Sequence, residues 1–159
     1  MNCQTQKKFN MKKTVYYLGI ALAMVTPLAA QNAGEIDYAF AKSGYGEFDI
    51  QSKDQNGFAI AVQSNGKIVF GGTHEHSGNK TDFLIYRVSA NGNLDLTFSS
   101  DGRVTESFSD KDELMALAVR PNGKILALGY METASNGRDI LLMQLDADGS
   151  IDNNFGTNG

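Results

Sequence analysis

The chain has 159 residues, 42% of them hydrophobic, which suits one modest globular domain. All 18 acidic residues follow Gln31, whereas only 10 of the 14 basic residues do, so the chain after Gln31 is acidic overall. Binding to a nucleic-acid backbone needs clustered Lys and Arg, and the sequence contains no basic stripe with interleaved aromatics. These numbers therefore exclude nucleic acid as the expected partner.

The N-terminal segment, from Met1 to Ala30, has the order of a secretory signal peptide. Four lysines precede an apolar run over residues 15–30, which ends in small residues and is followed by polar ones. The alternative is a membrane anchor, but a run interrupted by Pro27 falls short of the roughly 20 residues that span a bilayer. We expect cleavage after Ala30, with cleavage after Ala33 as the alternative. Met11 is a possible true start.

The single cysteine, Cys3, lies upstream of the apolar run. The exported product would therefore contain no disulfide and would depend on its own core for stability. Removal of the signal would also leave no membrane span. These features predict a secreted or cell-surface protein, with the periplasm as the alternative location.

After the signal, the sequence repeats itself at a nearly constant spacing. The segment GEIDYAF at 34–40 recurs as GNLDLTF at 92–98 and as GSIDNNF at 149–155, which are steps of 58 and 57. In the same way, SNGKIVFGG at 64–72 recurs as PNGKILALG at 121–129. Such self-similarity is the signature of a repeat architecture.

The recurrences divide the chain into a first unit at 34–91, a second at 92–148 and the truncated start of a third at 149–159. Because the third unit holds only its opening signature, we expect a fragment of a longer protein whose partners are further repeat units. Neither end carries a polar cap, and unpaired strand edges promote association. We therefore expect the isolated chain to oligomerise or aggregate.

Within each unit, short apolar or alternating runs predict β-strands and no helix of normal length. In the second unit these runs are GRVTESF, ELMALAVRP, GKILALG and DILLMQLD. Asn65-Gly66 and Asn122-Gly123 are predicted to be two-residue hairpin turns in which both residues take positive φ. The predicted fold class is all-β, with two four-stranded antiparallel blade-like meanders of a β-propeller-type array. Such a propeller typically closes with four to eight blades.

A fixed signature recurs once per unit. It has the form Gly-x-(Leu/Ile)-Asp-x-x-Phe-x-x-x-Gly and is followed by Asn-Gly-Lys-Ile, a glycine and an apolar strand. This pattern resembles the delta-60 repeat family over Gly34 to Gly159. The resemblance implies a propeller-like array in exported bacterial proteins, with no common enzymatic activity, no catalytic residue and no cofactor. The signature residues are Asp37, Phe40, Gly66, Gly72, Asp95, Phe98, Gly123, Gly129, Asp152 and Phe155.

Three positions depart from the family pattern. Ala41 and Ser99 stand where the family usually has glycine directly after the Phe, as Gly156 does in the third signature. Gln144 stands where Arg87 of the first unit fits the pattern better. These departures do not change the predicted fold.

Two clusters are weak candidates for a metal site. His74 and His76 could bind zinc, but zinc needs three or four ligands and no further ligand has a matching spacing, so we interpret them as a solvated loop. Asp146 and Asp148 resemble the start of a calcium loop, but Thr157 stands where the bidentate Glu is required. A turn capped by Asp is the favoured interpretation there. We therefore expect no metal.

The repeated carboxylates Asp37, Asp95 and Asp152 are interpreted as structural. A residue that recurs once in every unit is expected to stabilise the fold of that unit, and not to act in a single catalytic site. We expect them to accept backbone hydrogen bonds in the turn between blades, while the signature Phe fills the gap between sheets. The predicted function is a non-enzymatic scaffold, or a binding surface for a glycan, protein or small ligand. The alternative is part of a propeller-type hydrolase whose active site needs further blades.

Overall fold

A computed structural model of the chain describes residues 34–50, 53–76, 78–133, 135 and 137–159. The predicted signal peptide, with its candidate start Met11 and both candidate cleavage sites, lies outside the described residues. Within the described ranges the chain is all-β, as predicted, apart from a three-residue 3-10 turn at Phe40–Lys42. No helix in these ranges has the length and apolar character needed to cross a bilayer.

Seven strands are described, and consecutive strands are mostly antiparallel neighbours. They are β1 (Gln55–Val62), β2 (Ile68–Glu75), β3 (Thr81–Val88), β4 (Arg103–Glu106), β5 (Lys111–Val119), β6 (Ile125–Thr133) and β7 (Gly137–Leu145). The order in the sheet is β1-β2-β3-β5-β6-β7, with β4 also paired to β3. One parallel bridge joins β3 to β5. We call β1–β4 the first group and β5–β7 the second group.

The strand that opens the second unit pairs with the preceding unit, and the predicted order of strands within a unit is therefore wrong. β4 lies antiparallel to β3, with Glu106 opposite Phe83 and Arg103 opposite Tyr86. The signature causes this placement, because it is hydrogen-bonded to the end of β3. The amide of Asp95 donates to the carbonyl of Arg87 at 3.0 Å, and the amide of Arg87 donates to Gly102 at 3.0 Å. The chain therefore emerges beside β3.

The corresponding segment of the first unit, residues 46–50, forms no strand. Phe48 and Ile50 instead pack over the outer side of β2 and β3, against Phe70, Leu84 and Tyr86. The ring centroids of Phe48 and Phe70 lie 5.3 Å apart. The described chain offers this segment no preceding third strand, so it buries its apolar residues on the face of the sheet instead.

The Asn-Gly hairpins also differ from the two-residue turns predicted from the sequence. The amide of Gln63 donates to the carbonyl of Lys67 at 2.8 Å, and the amide of Gly66 donates back to Gln63 at 2.9 Å. Gly66 takes a φ of 80°, whereas Asn65 is not in the positive-φ region and accepts a hydrogen bond from Lys67 N at 3.1 Å. This is a three-residue loop with a glycine bulge. The second unit repeats it, with Gly123 at 84°.

Close backbone approach explains two of the signature glycines. A Cβ on Gly72 would lie 1.8 Å from the carbonyl oxygen of Asn56, and one on Gly129 would lie 2.0 Å from that of Glu113. Both sites face an irregularity in the neighbouring strand, after Gly57 and after Leu114. Glycine is required there because the bulged strand leaves no room for a side chain.

The residue after each signature Phe adopts a left-handed conformation. The φ angles are 50° at Ala41, 49° at Ser99 and 55° at Gly156. Residues with a Cβ are strained in this region. The structure thus gives a physical reason for the glycine that the family usually carries here, and shows that the first two signatures adopt the conformation without it.

The two groups pack face to face through one apolar core. Phe83 and Ile85 of β3 are fully buried against Leu114 of β5 and the inward side chains of β6 and β7. The buried members of this core are Val69, Phe83, Ile85, Phe98, Val104, Leu114, Ile125, Ala127, Met143 and Leu145. Because both groups contribute to one core, neither buries its apolar face by itself.

Candidate functional site

The signature carboxylate of the second unit is the centre of a buried charged cluster. Asp95 accepts hydrogen bonds from Nζ of Lys67 and Nε of Arg87, each at 2.7 Å, and from Oγ1 of Thr97 at 2.6 Å. Its side chain is only 9% exposed. Burial raises the pKa of Asp95, but the hydrogen bonds from Lys67, Thr97 and Arg87 outweigh it and lower that pKa far below the usual range. A carboxylate held in this way is a poor proton acceptor.

The third signature repeats the arrangement. Asp152 accepts hydrogen bonds from Nζ of Lys124 at 2.6 Å, from Nε2 of Gln144 and from the amide of Asn154 at 3.1 Å. The hydrogen bonds from Lys124 and Gln144 lower the pKa of Asp152 to about 2. Exposed Asp37 of the first signature accepts from the amide of Ala39 at 2.9 Å. Each signature Asp thus accepts a hydrogen bond from the backbone two residues later.

The two complete clusters contain the same residue types in exchanged positions. In the first unit the pair is Gln63 on the approach to the hairpin and Arg87 at the end of β3. At the equivalent positions of the second unit, Arg120 replaces Gln63 and Gln144 replaces Arg87. Nη1 of Arg120 donates to Oε1 of Gln144 at 2.8 Å. A guanidinium is therefore retained in both units, although Arg87 lies in β3 and Arg120 lies just after β5.

Arg87 also links the two groups. It donates from Nη1 to the carbonyl of Ala147, in the turn after β7. Its guanidinium carbon lies 4.6 Å from the ring centroid of Phe98, within cation–π range. The ring of Phe98 in turn lies so close to Gly149 that a Cβ there would come within 2.7 Å of it. The cluster therefore holds the end of the first unit against the end of the second.

The first candidate metal site differs from the solvated loop predicted for it. His74 lies within β2, opposite Asp82 of β3, and is 8% exposed. Nε2 of His76 lies 3.2 Å from Oδ1 of Asp82, outside hydrogen-bond geometry. In the described part of the chain, no three His, Cys, Asp or Glu side chains converge as metal ligands do. The structure thus pairs His76 with Asp82 and buries His74.

In the second candidate metal site, Asp146 and Asp148 already contact hydrogen-bond donors of the protein itself. Asp148 accepts hydrogen bonds from the amide and the hydroxyl of Ser150, at 3.0 and 2.6 Å. These hydrogen bonds lower the pKa of Asp148. Asp146 lies 2.9 Å from Nζ of Lys124, the lysine that also contacts Asp152. A cation would have to displace this ammonium group.

These geometries predict that chelation leaves the fold unchanged. We expect excess EDTA to shift the melting temperature of the chain by less than about 1 °C, because neither candidate offers a complete ligand set. Differential scanning calorimetry with and without EDTA tests this. A drop of several degrees that zinc or calcium reverses would contradict it.

Sequence reasoning missed two polar residues of the structure. No motif in the sequence marks Arg120 as a functional residue. Only an alignment of the two units at the repeat spacing shows that Arg and Gln exchange positions between them. Asp112 is fully buried and accepts hydrogen bonds from the amides of Phe108 and Ser109, at 2.6 and 3.0 Å. It closes the turn between β4 and β5. The role of Asp112 could not be predicted from the repeat, because the equivalent residue of the first unit is Gln55 and the carboxylate does not recur.

Residues 63–98 and 120–155 each match the family described as a domain of unknown function (DUF5122) beta-propeller. Each matched segment runs from the Gln63 or Arg120 position, through the Asn-Gly hairpin, to the signature Phe. The second match begins one repeat spacing after the first, in agreement with the recurrence found in the sequence. Among curated proteins, none matches the chain. The two matched segments are repeats of this beta-propeller family, which is the delta-60 kind of repeat that the signature resembles.

Proposed function

We propose that this chain is a non-enzymatic β-repeat module of an exported or cell-surface bacterial protein. The observation that carries the proposal is the use of its repeated charged residues. Asp95 binds Lys67, Arg87 and Thr97, and Arg87 continues to the turn of the next unit. The side chains that could have performed proton transfer thus hold one unit against the next.

The module is proposed to consist of four-stranded blades. The antiparallel run β1-β2-β3-β4 supplies the pattern for one blade, in which the last strand comes from the following repeat. The second group contributes three strands in the same order, β5-β6-β7. Further repeat units would then bind to the outer faces of these blades, and a glycan or protein would bind to the assembled surface.

Export has a direct test. Because four lysines, an apolar run and small residues precede Gln31, we expect the chain expressed in its bacterial host to leave the cytoplasm and to begin at Gln31. Intact mass spectrometry of the exported and cytoplasmic fractions measures this. Deletion of residues 15–26 serves as the control and should leave the protein in the cytoplasm. A product that keeps Met1 or Met11 and stays in the membrane would rule the export part out.

The non-enzymatic part is tested on the same purified product. We expect no turnover of ester, glycoside or peptide substrates above that of the Asp95→Asn variant. Hydrolysis that this substitution abolishes, while the protein stays folded, would instead support the hydrolase.

A further inference from the structure

The outward face of the second group is apolar and uncovered. On β6 and β7, Leu128, Ile140 and Leu142 expose 42%, 85% and 46% of their surface. Their side chains lie on the opposite side of the sheet from Ala127 and Met143, which face the first group. Large apolar side chains exposed together on one face mark an interaction surface. We call these three residues the tail surface.

The first unit shows what covers a face of this kind. The residues 57 positions before the tail surface are Gly71, Phe83 and Ile85. All three are buried, and Phe83 and Ile85 are 0% exposed because the second group lies against them. The same structural position is thus covered by a neighbouring unit in one repeat and bare in the next.

The outward face of the first group has the complementary character. On β1, Ile60 and Val62 are 69% and 67% exposed. Their second-unit equivalents, Leu117 and Val119, pack against the core between the groups. We call Ile60 and Val62 the head surface. The tail half of the internal interface is therefore exposed. In the head half only Ile60 and Val62 are exposed, because Phe48 and Ile50 cover Phe70, Leu84 and Tyr86 on the same face.

We propose that this chain binds a second copy of itself head to tail, with the tail surface of one copy packed on the head surface of the next. The contact repeats between copies the packing seen between the two groups. The inference rests on the proposed function, since the second copy supplies the further repeat units that the module binds. Because the two surfaces differ, copies add in one direction until a ring closes. With two units per copy and about four to eight blades in a closed propeller, the ring holds about two to four copies.

The contact between copies is smaller than the internal one. The internal contact includes Phe98, which is 0% exposed in the core between the groups. Its repeat equivalent Phe40 lies against Gly92 as Phe98 lies against Gly149, but Phe40 is only half-buried. Phe48 also covers part of the outward face of the first group. The junction therefore relies on the exposed side chains of the strands, and it dissociates on dilution.

Sedimentation velocity of the full chain over a dilution series tests the proposal. We expect assemblies of two to four copies at high concentration and a monomer at low concentration. The tail variant Ile140→Lys/Leu142→Lys and the head variant Ile60→Lys/Val62→Lys should each be monomeric throughout, because each lacks one surface. An equimolar mixture of the two should form a 1:1 dimer, since one intact head and one intact tail remain.

A matched control distinguishes this contact from non-specific hydrophobic association. Tyr38→Lys/Leu96→Lys replaces two apolar side chains that are 69% and 63% exposed and belong to neither surface, so it should assemble like the unaltered chain. A tail variant that melts earlier is replaced by Ile140→Ser/Leu142→Ser. The proposal is overturned if the chain is monomeric at every concentration, if assembly survives both double variants, or if the mixture stays monomeric. A chain that is exported from Gln31 and yet monomeric would overturn this inference alone.

Discussion

Replacing Phe98 with alanine is expected to lower the free energy of unfolding by about 3–5 kcal/mol, the range for removing a buried aromatic ring. Phe98 is 0% exposed and lies in the core between the two groups. The change would leave a cavity at the junction of the units and remove the ring that Arg87 stacks on at 4.6 Å. Urea unfolding followed by far-ultraviolet circular dichroism measures the effect.

The repeat supplies a matched control for this prediction. Phe155 occupies the same position of the next signature but is only half-buried. Phe155→Ala should therefore cost less than about half as much as Phe98→Ala, since less apolar area returns to water. If the two substitutions lowered the free energy of unfolding equally, the signature Phe would stabilise its own turn and not the contact between the groups.

Replacing Arg87 with glutamine should destabilise the chain by about 3 kcal/mol, because breaking a buried ion pair leaves its partner without full compensation. Arg87 is 4% exposed and donates to Asp95 at 2.7 Å. The variant reproduces the residue that the second unit carries at this position, Gln144. What it lacks is the guanidinium that Arg120 supplies there.

The double variant Gln63→Arg/Arg87→Gln is therefore expected to recover about 1 kcal/mol or more of this loss, as a charge-assisted hydrogen bond typically contributes. Recovery should be partial, because the contacts of Arg87 with Ala147 and Phe98 are not replaced. Chemical unfolding of the single and double variants measures both effects. A double variant no more stable than Arg87→Gln would show that the exchange between the units is not compensatory.

The dependence of stability on pH tests the cluster around Asp95 independently. Asp95 has a folded-state pKa below its usual value, so the stabilisation from its charge is fully present above the usual carboxyl pKa. That stabilisation is lost as the pH falls through the folded-state pKa. Because Arg87→Gln removes one of the hydrogen bonds that lower this pKa, the variant should lose less stability than the unaltered chain as the pH falls from about 5 to about 2, with most of the difference below pH 3.

The position of the head and tail surfaces connects these variants to assembly. Phe98 and Arg87 act inside the chain, whereas Ile60 and Ile140 lie on the outward faces. We therefore expect substitutions of the first kind to change the unfolding transition, and substitutions of the second kind to change the sedimentation coefficient with little effect on unfolding. The two sets of experiments test the internal contact and its proposed copy between chains separately.

The linear sequence determined the class and spacing of the elements. Alternating apolar runs bounded by glycine and asparagine were sufficient to predict an all-β chain, because strand periodicity and turn chemistry are local properties. The recurrence of the Asp and Phe signature residues at steps of 57 or 58 was sufficient to predict the family. It also led to the expectation that the repeated carboxylates serve the units, since repetition can be read without knowing any contact.

Tertiary structure decided which strand pairs with which and which side chains meet. β4 belongs by sequence to the second unit, yet it pairs with β3, because the signature is hydrogen-bonded to the end of that strand. Arg120, just after β5, donates a hydrogen bond to Gln144 of β7, although the two residues are far apart in sequence. Ile140 and Phe83 occupy equivalent positions, yet one is 85% exposed and the other 0%. Burial depends on what lies across the face of a sheet, and no local pattern of residues specifies that.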